Sequence, residues 1–456
     1  MKQWCNSLLM AGVVFAASTS AATAQQRMVE DYVRAPMPPG IQVRHTDLEG
    51  PVFTTAQGMT LYVWPQKAMR VGYSGDGKGK TTCTDEVTTK TAGMMSPWPA
   101  GMDLPDLDTR LSCAATWPAL LAPDDAKPTG LWTIITRPDG KKQWAYDELP
   151  VYTSILDKVP GQTNGGSGTL PDGGSGPQPA RLPLNPRPNV PPGFNVITML
   201  QGRMVVNDKG YSVYTWDNDA PSKSNCIGEC AQTWIPAVAP ASAQPQGEWT
   251  IIQRAAGVRQ WAFRKKPVYT FSEDTQRESL NGGDMPGWHN VYTMKAPPHP
   301  AEFTTHASLT GDVLADANGK TIYFYTCGDD SLDQLACDTM DSPQVYRIAI
   351  AGGGNWDRAL KMWPYVLAGA NAKVPSQLWS IVWVDPKTGR EVTASQAGVN
   401  QVGAQRVWAY RGRPVYTYAG DKEPGDIEGN GMGEWQGKRN GFRTFYIREE
   451  FGGRRG

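Results

Sequence analysis

Five aromatic landmarks recur in the same order three times along this chain, and that recurrence limits the possible folds more than any other feature. A Gly-x-x-aliphatic-Tyr segment comes first, ending at Tyr62, Tyr214 and Tyr323. A Trp followed closely by Pro comes next, at Trp117, Trp234 and Trp363. Then come Trp132-Thr-Ile-Ile, Trp249-Thr-Ile-Ile and Trp379-Ser-Ile-Val, followed by Trp144-Ala-Tyr, Trp261-Ala-Phe and Trp408-Ala-Tyr. Pro-Val-Tyr closes each set at Tyr152, Tyr269 and Tyr416, and from the last Trp to that Tyr the spacing is 8 residues every time. Between the first Tyr and the Trp-Pro landmark the gaps are 55, 20 and 40 residues, so repeats one and three carry insertions there. Surface loops absorb such insertions and core strands do not.

Each landmark is short, β-branched or aromatic, and bounded by Gly, Pro or Asp, which predicts strands joined by hairpins. Pro138-Asp139-Gly140 and Pro386-Lys-Thr-Gly389 read as turns. No stretch carries a long helical stripe; Cys226–Cys230 and Trp356–Met362 are candidates for single helical turns. The expected fold is all-β: three related antiparallel meander domains, each of two half-repeats, with Trp-rich cores. A single propeller-like ring of six halves is the alternative, and the Gly/Ser/Pro stretch after residue 160 speaks against it. Domains are expected over residues 27–160, 193–296 and 301–450, with 161–192 as a linker.

The chain opens with Lys2, an apolar run from Ser7 to Ala17 too short to span a bilayer, and Ala22-Thr-Ala24. This predicts a signal peptide over residues 1–24, cleaved near Ala24, and a periplasmic or secreted product. Cys5 would leave with it, and six cysteines remain for an oxidising compartment. Sequence neighbours suggest one pair per repeat: Cys83–Cys113, Cys226–Cys230 and Cys327–Cys337. Lys plus Arg equals Asp plus Glu, 44 each, which gives no electrostatic case for nucleic acid or an anionic membrane. No later stretch is apolar enough to span a membrane.

A shorter pattern, Tyr-x-aromatic-x-x-Asp, recurs in both halves of the repeats. It is complete in Tyr214/Trp216/Asp219, Tyr269/Phe271/Asp274 and Tyr416/Tyr418/Asp421. Repeat one has Lys67 where the first aspartate belongs, and Ser154 in place of the second aromatic, with Asp157 retained. Near Tyr323 the acid, Asp329, is one step late. In these landmarks the chain resembles the bacterial secreted repeats of unknown function, predicted lipoproteins with a Yx(FWY)xxD motif. The resemblance implies fold and export; it assigns no activity, and no lipid-acceptor cysteine is present here.

Aromatics at i and i+2 lie on one face of a strand. The motif therefore reads as a core face whose aspartate caps the following turn. The functional reading makes the aspartates hard oxygen ligands for calcium: Asp217 and Asp219 in one loop, and Asp421, Asp426, Glu428 and Asn430 in another. The second loop approaches an EF-hand, but Gly437 stands where the bidentate glutamate is required. Cys226-x-x-x-Cys230 is one residue too long for the usual redox spacing and reads as a structural disulfide. Met94, Met95 and Met102 read as packing rather than copper ligands. No histidine joins a catalytic pattern, and no catalytic fingerprint occurs. The expectation is a non-enzymatic binding or scaffold protein whose partner is another exported protein or an envelope component. Alternatives are a calcium-stabilised protein and an accessory in exported redox chemistry.

Overall fold

The computed structural model describes residues 29–69, 72–85, 112–166, 181–254, 257–326, 356–387, 391–392, 403–432 and 441–447. Within these the regular secondary structure is nearly all strand, in antiparallel sheets that close no barrel, with a few short helices. A helical turn is present at Trp356–Met362 as expected; the one expected over Cys226–Cys230 begins only at its last residue and runs over Cys230–Thr233, with Cys113–Thr116 as its counterpart in repeat one.

Each repeat is built the same way. A hairpin comes first: Ile41–His45 with Pro51–Thr55, Phe194–Met199 with Gly202–Asn207, and Thr304–Ser308 with Gly311–Ala315. The first motif strand follows, then the helical turn that delivers the Trp-Pro landmark. A second hairpin places Trp132 opposite Tyr146, Trp249 opposite Phe263 and Trp379 opposite Tyr410. The second motif strand then returns beside the first. Its tyrosine pairs with the tyrosine of the first in all three repeats: Tyr62 with Tyr152, Tyr214 with Tyr269, Tyr323 with Tyr416.

Alternation along these strands feeds two cores per repeat. The aliphatic residue before each motif tyrosine points to one side, and the tyrosine to the other. In repeat two, Val213 and Val268 join Trp249, Trp261 and Phe263. Tyr214 and Tyr269 face Trp234, Phe271, Trp288 and Cys226 on the opposite side. Repeat one divides Leu61 and Val151 from Tyr62 and Tyr152 in the same way.

A closing strand that no sequence pattern announced completes each repeat. Leu182–Pro183 pairs with Tyr62–Val63, Trp288–Asn290 with Tyr214–Trp216, and Gly441–Thr444 with Tyr323–Thr326. The first of these corrects the linker expected over 161–192. Thr163, Asn164, Arg181 and Leu184 are buried, and Leu184 packs with Trp132 and Trp144. Proline is tolerated here because a two-residue edge strand needs few donors.

The repeats touch. The loop of the first hairpin inserts Leu48, wholly buried, into the core of repeat three beside Phe303, Trp379 and Trp408. Next to it Arg411 of repeat three donates to Glu49 at 2.8 Å, both buried. Glu30 and Arg203 form a buried two-pronged pair, 2.9 Å at each contact, which ties the segment before repeat one to repeat two.

Candidate functional site

The motif tyrosines and aspartates form a reciprocal lock. In repeat two the Tyr214 hydroxyl donates to Asp274 at 2.8 Å, and the Tyr269 hydroxyl donates to Asp219 at 2.7 Å. Each tyrosine therefore reaches past its own strand to the aspartate of the other half. In repeat three Tyr323 donates to Asp421 at 2.8 Å; Asp329 lies outside the described residues. In repeat one Tyr62 donates to Asp157 at 2.7 Å.

The fifth tyrosine–aspartate bond corrects the reading of Lys67. An extra hairpin, Lys67–Met69 with Gly72–Ser74, is spliced in after Trp64. The aspartate moves past it to Asp76, which accepts from the Tyr152 hydroxyl at 2.7 Å. Repeat one thus keeps the acid. Asp76 and Asp219 each stand seven residues before a cysteine, Cys83 and Cys226, a spacing that marks the equivalence in the sequence.

The second carboxylate oxygen holds the loop that follows, as the capping reading expects. Asp76 accepts from the Thr82 N–H and Asp219 from the Asn225 N–H, both at 2.7 Å. Asp157 accepts from Asn164 at 2.8 Å and Asp421 from Glu428 at 3.0 Å. Two residues before each cysteine a hydroxyl completes the network: Thr81 meets Tyr152 at 2.6 Å and Ser224 meets Tyr269 at 2.8 Å.

Glycines let the loops close over the rings. Gly282 lies so near Tyr214 that a Cβ would stand 2.7 Å from the ring, and at Gly429 it would stand 2.7 Å from Trp363 and 2.9 Å from Tyr323. Gly165 is equally crowded by Trp117. All three follow a motif aspartate by eight residues. No side chain fits there without moving an aromatic ring.

Burial holds Asp76, Asp157, Asp274 and Asp421 above the usual carboxylate range, and Asp157 is pushed up to about 7. Burial and the facing carboxylates push the partner tyrosines upward too. Asp157 thus binds its proton more tightly folded than unfolded. Its contribution to stability is full below about pH 4 and is lost as pH rises towards about 7. We predict that the urea midpoint of repeat one is higher at about pH 5 than at about pH 7.5, and that Asp157→Asn flattens this difference.

A stack of planar groups lies beside the lock. In repeat two Trp216, Trp288, Trp234 and Phe271 stack in that order, with centroids 5.2, 3.6 and 4.3 Å apart. In repeat three Phe442 lies 3.4 Å from Trp363, which leans on Tyr418. In repeat one the slot of Trp288 and Phe442 is taken by Arg181, whose guanidinium carbon stands 4.3 Å from Trp64 and 4.6 Å from Trp117. The cation–π sandwich replaces a ring with another flat group.

The disulfides Cys83–Cys113 and Cys226–Cys230 are formed as expected. Cys327 and Cys337 lie outside the described residues, as do residues 1–24, Met94, Met95 and Met102. Cys113 and Cys230 each precede the landmark Trp by four; Ala359 takes that place in repeat three, buried.

The proposed calcium ligands are dispersed. Asp217 is exposed and bonded to His289 at 2.8 Å, a contact that lowers its pKa. Asp219 is committed to Tyr269 and Asn225, and Asp421 to Tyr323 and Glu428. Asp426 accepts from the N–H groups of Lys422 and Glu423, which hold its carboxyl below the usual range. Glu428 contributes its backbone N–H, and Asn430 bonds Thr444 and Tyr446. Among the described residues no three His, Cys, Asp or Glu side chains converge. A chelator is therefore expected to leave the melting temperature unchanged; a drop would restore the calcium reading.

What this arrangement does chemically is hold a sheet together: its polar atoms face one another rather than an opening. No helix among the described residues is long and apolar enough to cross a membrane. No curated protein and no solved structure matches the chain. Residues 133–168, 195–238 and 401–439 each match the family model described as a secreted repeat of unknown function, and each contains one Tyr–Asp motif, so three regions of the chain are similar to that secreted repeat.

Proposed function

We propose that this is a non-catalytic exported binding or scaffold protein that presents three rigid repeats to another exported protein or envelope component. One observation carries the reading. Four residues after the landmark Trp, each repeat exposes an aliphatic side chain at the same edge position: Leu121, Val238 and Leu367, at 51, 61 and 59% exposure. The residues on either side bond inward to the sheet, as Ala237 does to Val268 and Ala239 to Arg259. The exposed residue faces outward with its own backbone groups.

The slot residue and the first motif's spacing changed between copies while this exposed aliphatic stayed. A site that only had to be wet would admit charge, as edge strands commonly do. Pro123, Pro236 and Pro240 keep the edges of repeats one and two from pairing at length, so recognition there rests on the side chain rather than on a long ladder. Three equivalent weak contacts on one chain reinforce one another if the partner engages them together.

The test is the triple variant Leu121→Lys, Val238→Lys, Leu367→Lys. Exposed positions tolerate such changes to within about 0.5 kcal/mol, so the melting temperature should hold. Capture of a defined envelope partner by the wild type should be lost in the triple variant and weakened in each single one. Undiminished capture by the triple variant ends the reading.

A further inference from the structure

We infer that the cleft between the first hairpin and the Val374–Gln377 segment of repeat three binds a small ligand bearing a carboxylate or phosphate group, with Arg44 as its recognition residue. The cleft has a volume of about 470 Å³ and is lined by Arg44, His45 and Asp47 on one side and Ser376 and Gln377 on the other. Small-molecule sites fall in this size range and favour the junctions between domains.

Arg44 is placed but not spent. It lies across Gly58 and Gly161, both with positive φ (82° and 86°). A Cβ at Gly58 would stand 3.1 Å from its Nη1, and one at Gly161 would stand 2.9 Å from its Nε. Two left-handed glycines therefore make the room in which the guanidinium sits. The guanidinium makes no hydrogen bond or ion pair with a described residue. Arg44 is exposed to solvent, whereas the buried arginines of the chain are engaged: Arg203 with Glu30, Arg411 with Glu49, Arg137 with Gln143.

The acid in the cleft is occupied. Asp47 accepts from the Gln377 N–H at 2.6 Å, and the Gln377 side chain donates to the Pro160 carbonyl at 3.2 Å. These bonds fix the two walls against each other and leave Arg44 as the cation that lines the cleft. A guanidinium offers its donors in a planar fork that matches carboxylate and phosphate oxygens.

This site is separate from the edge residues Leu121, Val238 and Leu367, so either proposal can fail without the other. The test is calorimetric titration of the mature chain with inorganic phosphate and, separately, with citrate. Saturable binding of either anion at one site per chain is expected, weakened about tenfold or more in Arg44→Gln and partly restored in Arg44→Lys. Binding of phosphate alone or of citrate alone identifies the chemistry and supports the site. No saturable heat from either anion into the millimolar range overturns it, as does equal binding by a folded Arg44→Gln variant.

Discussion

Replacing Trp234 by alanine is expected to remove about 3–5 kcal/mol of stability from repeat two. The ring is buried between Trp288 at 3.6 Å and Phe271 at 4.3 Å, with the Tyr214 edge at 5.4 Å. No neighbour can collapse into the gap, because Trp288 and Phe271 sit on separate strands whose registers are fixed by Trp216 and Trp234 themselves. Two cooperating losses follow: the transfer free energy of the indole and the cavity it leaves. A chain of three repeats is not a two-state unit, so a single melting curve would blur the effect. Hydrogen exchange resolves it: amides of residues 213–216 and 269–271 should exchange far faster, while residues 62–63 and 323–324 keep their protection. The counterpart Trp117→Ala carries an added cost, because it strips one face of the cation–π sandwich from buried Arg181.

The second large effect belongs to the lock. Tyr269→Phe keeps the ring and deletes one oxygen. Asp219 then loses the hydroxyl at 2.7 Å and keeps the Asn225 N–H, while Ser224 loses one partner at 2.8 Å and keeps the Arg254 guanidinium. A buried carboxylate left short of donors costs about 1–3 kcal/mol. Asp219 is only 6% exposed, so water cannot easily replace the phenol. Tyr214→Phe should behave alike through Asp274. An equivalent change at half-buried Tyr211, which belongs to neither core and whose hydroxyl joins no lock, should do far less.

The two-fold alternation of Val213 and Tyr214 is a local property, and it shows in the sequence as an aliphatic beside an aromatic. The reciprocal bonding is not local. Tyr62 reaches an aspartate 95 residues away, and nothing in a window of strand length announces it. Asp76 was hidden by the hairpin inserted before it, although its distance to Cys83 matches that from Asp219 to Cys226. The closing strands were hidden by chemistry: Arg181, Trp288 and Phe442 share no side-chain class, only flatness. Residues 181–184 also follow a Gly/Ser/Pro stretch, whose composition reads as a spacer.

One exchange shows how a polar site can vanish from a repeat without harm. Arg137 bonds Gln143 at 2.9 Å, and Arg254 bonds Gln260 at 2.8 Å. Each glutamine also donates to the carbonyl before the motif tyrosine, at Val151 and Val268. In repeat three both places are valines, Val384 and Val407, buried with Tyr365. Removing both members of a buried polar pair is far milder than removing one. The same reasoning predicts that a single substitution in a lock, which leaves the other member buried without its partner, is costly.

A double-mutant cycle on Tyr269 and Asp219 tests the central claim most directly. Tyr269→Phe, Asp219→Ala and the double variant are compared by the local opening free energy of repeat two. If the two halves are bolted together through this bond, the pair couples by about 1.5–3 kcal/mol, the range for a hydrogen bond to a charged group. Additive effects, agreeing within about 0.3–0.5 kcal/mol, would mean that the phenol and the carboxylate act independently and that the reciprocal lock does not hold the repeat.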